Sequence, residues 1–139
     1  MLFKSITTLD LSDNGLLQTL DVGFNQRKFD LTGPNCLTSA TLQANQLSSI
    51  DLSQNTGLVY LSANDNPLTS LDVSALTALT QFYAQTSPSL SSLNTQNGNN
   101  LNLTAFNATN CPLLTCIQVD SPAYMNTNRS AGEGAGAKI

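Results

Sequence analysis

Asp10, Asp30, Asp51 and Asp72 recur at steps of 20, 21 and 21 residues in a chain of 139, and Asn94 and Gln118 follow in the same phase. Residues so spaced meet only if the chain coils and stacks, which would set the carboxylates about 4.8 Å apart in a line. Two chemistries suit such a line. Oxygen-only ligands fit a hard cation such as calcium, so Asp10, Asp30, Asp51 and Asp72 form a candidate metal ladder. Alternatively each carboxylate accepts hydrogen bonds from flanking Ser and Thr (Thr8, Ser12, Ser49, Ser53 and Ser74), and the linear layout favours this reading. General acid–base work would need carboxylates converging in a pocket. The sequence contains no histidine to activate a serine or a thiol. Its three cysteines, Cys36, Cys111 and Cys116, match no zinc spacing. No catalytic residue, cofactor or enzymatic activity is therefore expected.

A second set of regularly spaced residues suits recognition instead. Tyr60, Ser62 and Asn64 alternate with apolar residues, and Gln81, Tyr83 and Gln85 repeat that order 21 residues later. Two tyrosines supply flat amphipathic area among amides and hydroxyls, a mixture suited to a protein or glycan ligand. Tyrosine is also an ordinary residue on any exposed strand.

The elements that carry both sets follow from one frame. In Leu47–Pro67, Leu47, Ile50, Leu52 and Asn55 precede Leu58, Leu61, Ala63 and Asn66 in the same grammar. The frame divides the chain into coils 6–26, 27–46, 47–67, 68–89 and 90–112, with a half-coil 113–120. A lead-in of residues 1–5 precedes them, and an irregular tail, 121–139, is expected to be disordered. Apolar residues alternate with period two in each L-x-L or L-x-A triplet, which is the pattern of a strand. A fixed period of this length predicts a solenoid, here right-handed, with two short parallel strands per coil and little or no α-helix. Leu, Ile, Val and Phe form a thin inner row, with Val22, Leu42, Ala63, Ala84 and Ala108 at the tight corner. Asn14 and Asn55 in the first half-coils, and Asn25, Asn45, Asn66 and Asn110 in the second, read as a structural ladder. Their amides can satisfy backbone groups of neighbouring coils. Pro34, Leu76 and Gly98 interrupt the first-half ladder, which should loosen that side.

These residues resemble leucine-rich repeats of the nested 21-residue kind. The phrases 47–66 and 68–85 are similar to repeats of secreted Bacteroidetes surface proteins, and 91–120 resembles the repeat that closes such arrays. The resemblance implies a non-enzymatic binding module, extracellular or at the cell surface, recognising a protein or glycan. A spacer or stalk with no ligand of its own is the other role that it allows. It also implies a signal peptide and a sorting domain outside this chain, so that the chain reads as a fragment with uncapped ends open to end-to-end self-association. The family cysteine matching Cys116 tends to pair with one further downstream.

Composition bounds the rest. Only 10% of residues are charged, the formal net charge is −4, and no Lys or Arg occurs between Phe29 and Asn128. Nucleic-acid binding needs a basic footprint, which excludes that partner. No run of about 18 apolar residues exists to span a membrane. Cys111 and Cys116 lie five residues apart and allow either a bridge or two small buried hydrophobes, while Cys36 is expected to be buried.

Overall fold

The computed structural model describes residues 9, 11, 13–26, 28, 31–33 and 36–123. Within them the chain is a parallel β-solenoid of about five turns. Its strands are β1 (Thr19–Asp21), β2 (Ser39–Thr41), β3 (Tyr60–Ser62), β4 (Ser70–Asp72), β5 (Gln81–Tyr83), β6 (Ser92–Asn94), β7 (Ala105–Asn107) and β8 (Ile117–Gln118). One sheet runs β1-β2-β3-β5-β7 and the other β4-β6-β8, all pairs parallel. The sole helical element among the described residues with defined bounds is one 3-10 turn, Asn100–Asn102.

Each strand is three residues or fewer because the chain must turn again within half a coil. Only the middle residue of a strand faces inward. Leu20, Ala40, Leu61, Phe82 and Phe106 therefore stack in register along the larger sheet. Phe82 and Phe106 meet ring to ring at 5.7 Å. Leu71, Leu93 and Ile117 do the same in the smaller sheet. Leu37, Leu58, Leu79 and Leu103 close the turn between the halves, each 1% exposed or less. Each buried Leu contributes about 2 kcal/mol, so the row of them carries the fold.

The coil length is less regular than a strict 21-residue frame. Registers Leu20↔Ala40, Ala40↔Leu61, Leu61↔Phe82 and Phe82↔Phe106 give steps of 20, 21, 21 and 24 residues. The longest step accommodates the 3-10 turn and the Asn97–Asn100 run before it. There Asn97 Nδ2 donates to Leu76 O at 3.0 Å, and Asn100 Nδ2 donates to Thr95 O at 2.7 Å. Asp120 then fastens the run to the last half-coil, accepting from Gly98 N at 3.0 Å and Asn100 N at 3.1 Å.

Two strands per coil hold from β4 onward. In the third coil residues 49–51 run beside β4 without forming a strand, and the single backbone contact there is Thr69 N to Ser48 O at 3.3 Å. Asp10, Phe29, Asp30, Pro34, the lead-in and residues 124–139 lie outside the described residues. Among the described residues no helix is long and apolar enough to cross a membrane.

Candidate binding face

Pairing between coils continues past each strand of the larger sheet. Ala63 N donates to Tyr83 O at 2.8 Å and Asp65 N to Gln85 O at 3.1 Å, with equivalents in the neighbouring coils. To keep this ladder while turning inward, the residue two after the tight corner adopts a left-handed backbone. Phe24, Ala44, Asp65, Thr86 and Asn110 have φ of 59°, 54°, 57°, 57° and 58°. Five successive coils thus share one left-handed position.

The next residue is the ladder position. Asn45 Nδ2 donates to Leu42 O of its own turn at 2.9 Å and to Val22 O of the preceding coil at 2.8 Å. Asn66 Nδ2 repeats this with Ala63 O at 3.1 Å and Leu42 O at 3.0 Å, and its Oδ1 accepts from Leu47 N. Asn25 caps its own turn, bonding Val22 O and Gly23 O, and stays exposed. One assignment of the sequence reading is corrected here. Asn110 is an exposed left-handed residue, and Cys111, buried, takes the ladder place instead. Its Sγ lies 3.4 Å from Ala84 O and 3.5 Å from Thr109 O, the own-turn and preceding-coil pattern of Asn66. Ser87 fills the same position one coil earlier, fully buried, with no hydrogen bond at Oγ.

In the first half-coils, Asn14, Asn55 and Leu76 share one backbone turn. Each N–H reaches a carbonyl three residues back, and each carbonyl accepts from three residues on. Leu76 keeps the turn without an amide. Asn97, one place before Gly98, restores the amide by reaching back to Leu76 O. Asn14 is exposed, and Asn55 is buried.

The carboxylate line resolves into local turns. Asp51 Oδ1 accepts from Ser53 N at 2.9 Å, Asp72 Oδ1 from Ser74 N at 2.8 Å, and Asn94 Oδ1 from Gln96 N at 3.1 Å. Hydrogen bonds from Ser53 hold the Asp51 carboxyl below its usual range, its backbone N–H contributing most. Asp72 is lowered likewise, chiefly by the Ser74 side chain. A hollow of about 140 Å³ separates the two carboxylates, lined also by Ile50, Leu52 and Ala75. Among the described residues no three His, Cys, Asp or Glu side chains gather as metal ligands.

Cys36 is exposed, contrary to expectation, because its neighbour Leu37 takes the inward place and alternation turns the thiol out. Cys116 is exposed beside inward Ile117 for the same reason. Cys111 faces the interior, so the two are not bridged, and burial pushes the Cys111 thiol up.

The tyrosine face is brought together as a unit. Tyr60 pairs with Gln81, and Ser62 with Tyr83. The two rings are diagonal neighbours, with centroids 5.9 Å apart and planes inclined by 49°. Gln81 is exposed, while Tyr60, Asn64, Tyr83 and Gln85 are half-buried. Ser62 departs from the expected outward contact role, being 2% exposed. Its Oγ lies 2.6 Å from Asn64 Oδ1 and 3.0 Å from Gln43 Oε1, and its one proton serves either. Ser62 thus lies between amides of two adjacent coils and can donate to one of them at a time. Spacing places Gln43 outward, but nothing in the spacing couples it to Ser62.

The comparisons agree with this architecture. Residues 5–40 match the family model described as Leucine Rich Repeat. No curated protein matches the chain. Among solved structures the chain is similar to the functional domain of InlJ from Listeria monocytogenes, described as including a cysteine ladder. That likeness has 25% identity and a TM-score of 0.51, covering 78% of this chain and 33% of that one. The chain therefore spans about a third of that structure. In fold the solenoid is similar to a leucine-rich-repeat protein.

Proposed function

We propose that the chain is a non-enzymatic recognition module of a secreted or cell-surface protein, and that it binds through the outward face of the larger sheet. The observation that carries this reading is the Tyr60–Tyr83 pair, two half-exposed rings 5.9 Å apart on paired parallel strands. Tyr brings large contact area at small entropic cost, because only two torsions are immobilised. Beside it Ser62 donates to Gln43 or Asn64, which lowers the ordering that a ligand must impose on those amides. Repeat arrays generally use such continuous surfaces for binding, and the leucine-rich-repeat likeness supports a role in protein or glycan recognition.

The test is capture of isolated cell-surface proteins and polysaccharides by the immobilised chain. Replacing Tyr60 and Tyr83 together by Ala should weaken capture by about tenfold or more. The unfolding free energy from urea denaturation should stay within about 1 kcal/mol of the parent, since neither ring fills the core. Capture that is indifferent to both substitutions would sink the assignment and leave a spacer role.

A further inference from the structure

We infer that the ligand of the Tyr60–Tyr83 face is an uncharged polysaccharide chain lying across the strands. This inference rests on the reading of that face as the binding surface. Three observations carry it.

The first is charge. No Lys or Arg occurs between residues 29 and 128, so the face has no partner for a carboxylate, sulfate or phosphate. Asp21 and Asp65, exposed at its margins, would repel such groups. An acidic polymer would bring unpaired charge against a surface that cannot neutralise it. A basic partner would need acidic groups at the centre of the face, where tyrosines and amides stand instead.

The second is the kind of apolar surface. Protein interfaces concentrate a desolvated apolar core within a polar rim. Among the described residues the large exposed hydrophobics, Leu16, Phe24, Val59, Leu101 and Leu113, lie outside β3, β5 and β7. What the face offers is two phenol rings bordered by Gln43, Asn64, Gln81 and Asn107. Rings present a flat apolar area to the C–H face of a sugar, and amides both donate to and accept from its hydroxyls. Asn107 Oδ1 is committed to Thr109 N at 3.0 Å and Thr109 Oγ1 at 2.8 Å, which turns its amide nitrogen to serve as donor.

The third is shape. The hollow of about 140 Å³ at Asp51 and Asp72, and another of about 630 Å³ lined by Asp13–Leu17 and Cys36, both lie away from the tyrosines. Tyr60 and Tyr83 stand diagonally on neighbouring strands of a parallel sheet, outside both hollows. Such a shelf suits the side of an extended chain rather than a single sugar in a pocket.

The experiment is affinity electrophoresis of the full chain in gels containing neutral polymers (mixed-linkage β-glucan, xyloglucan or galactomannan) or anionic ones (polygalacturonate or heparin), with a neutral-glycan array beside it. The expected result is retardation or array binding by neutral glycans alone. Tyr83→Ala should reduce that binding about tenfold and Tyr83→Phe should preserve it, since stacking needs the ring and not the hydroxyl. Gln81→Ala, at an exposed position with no part in the core, should weaken binding without altering the unfolding midpoint. Binding to the anionic polymers, or to no neutral glycan in either format, overturns the inference. If a deglycosylated surface protein is held by the parent chain and lost from the tyrosine double variant, the face binds but the ligand class is wrong. If no substitution changes any capture, both readings fall.

Discussion

Cys111 Sγ sits 3.4 Å from the carbonyl oxygen of Ala84, where two coils earlier the Asn66 amide meets the carbonyl of Leu42 at 3.0 Å. A thiol is a weak single donor in a place built for an amide with two. The column running Asn45, Asn66, Ser87, Cys111 in the interior, with Asn25 exposed at its start, therefore loses hydrogen-bonding capacity toward its C-terminal end.

The strength of that column can be measured. Asn66→Ala would leave Ala63 O and Leu47 N without their side-chain partner in a buried turn, and Leu42 O with the Asn45 amide alone. Orphaning such groups costs about 3 kcal/mol in total, allowing for partial relaxation. Asn25→Ala removes bonds within one exposed turn and should cost about 1 kcal/mol or less. Urea denaturation of both variants gives the comparison, and equal losses would refute bridging between coils as the cause.

The shared left-handed position makes an opposite prediction. Thr86 holds φ of 57°, a region disfavoured for a β-branched side chain, whereas Asn110 holds 58° with a residue that tolerates it. Thr86→Asn should therefore stabilise the solenoid by about 1 kcal/mol. Asn110→Val should destabilise it by a similar amount. Thermal unfolding midpoints report both signs, and a destabilised Thr86→Asn would contradict the strain argument.

The turn carboxylates predict the acid limb of stability. Asp51 and Asp72 titrate below their ordinary value in the folded chain, so the unfolded chain takes up protons first as pH falls. Their contribution is fully present above the ordinary aspartate value of about 3.9 and disappears as pH drops through the lowered folded values. In Asp51→Asn/Asp72→Asn the turns should survive, because Asn94 and Asn107 accept the same bond two residues on. Unfolding midpoints followed from pH 6 to pH 2 should then fall less steeply than in the parent. An unchanged slope would mean that other groups control acid unfolding.

Much of this was legible in period alone. Alternation about Leu20, Leu61 and Phe82 foretells which side chains go inside, because a side-chain period of two leaves one choice of face. Spacing also places Tyr60 and Tyr83 on one surface. Identity misled where it competed with spacing. Asn110 is an Asn of the right neighbourhood, but it stands two residues after Ala108, whereas Asn66 stands three after Ala63. The place three after Ala108 belongs to Cys111.

The sequence by itself determined the solenoid, its inner row and the absence of Lys and Arg between residues 29 and 128, since these depend only on residue type and interval. Tertiary structure alone decided which polar residues are support and which are surface. Ser62 lies in the outward register yet is closed over by Gln43 and Asn64. Asp51 and Asp72 share a line yet each turns to its own following serine. Such choices depend on side chains from coils about twenty residues away, and short-range pattern carries no record of how those side chains turn.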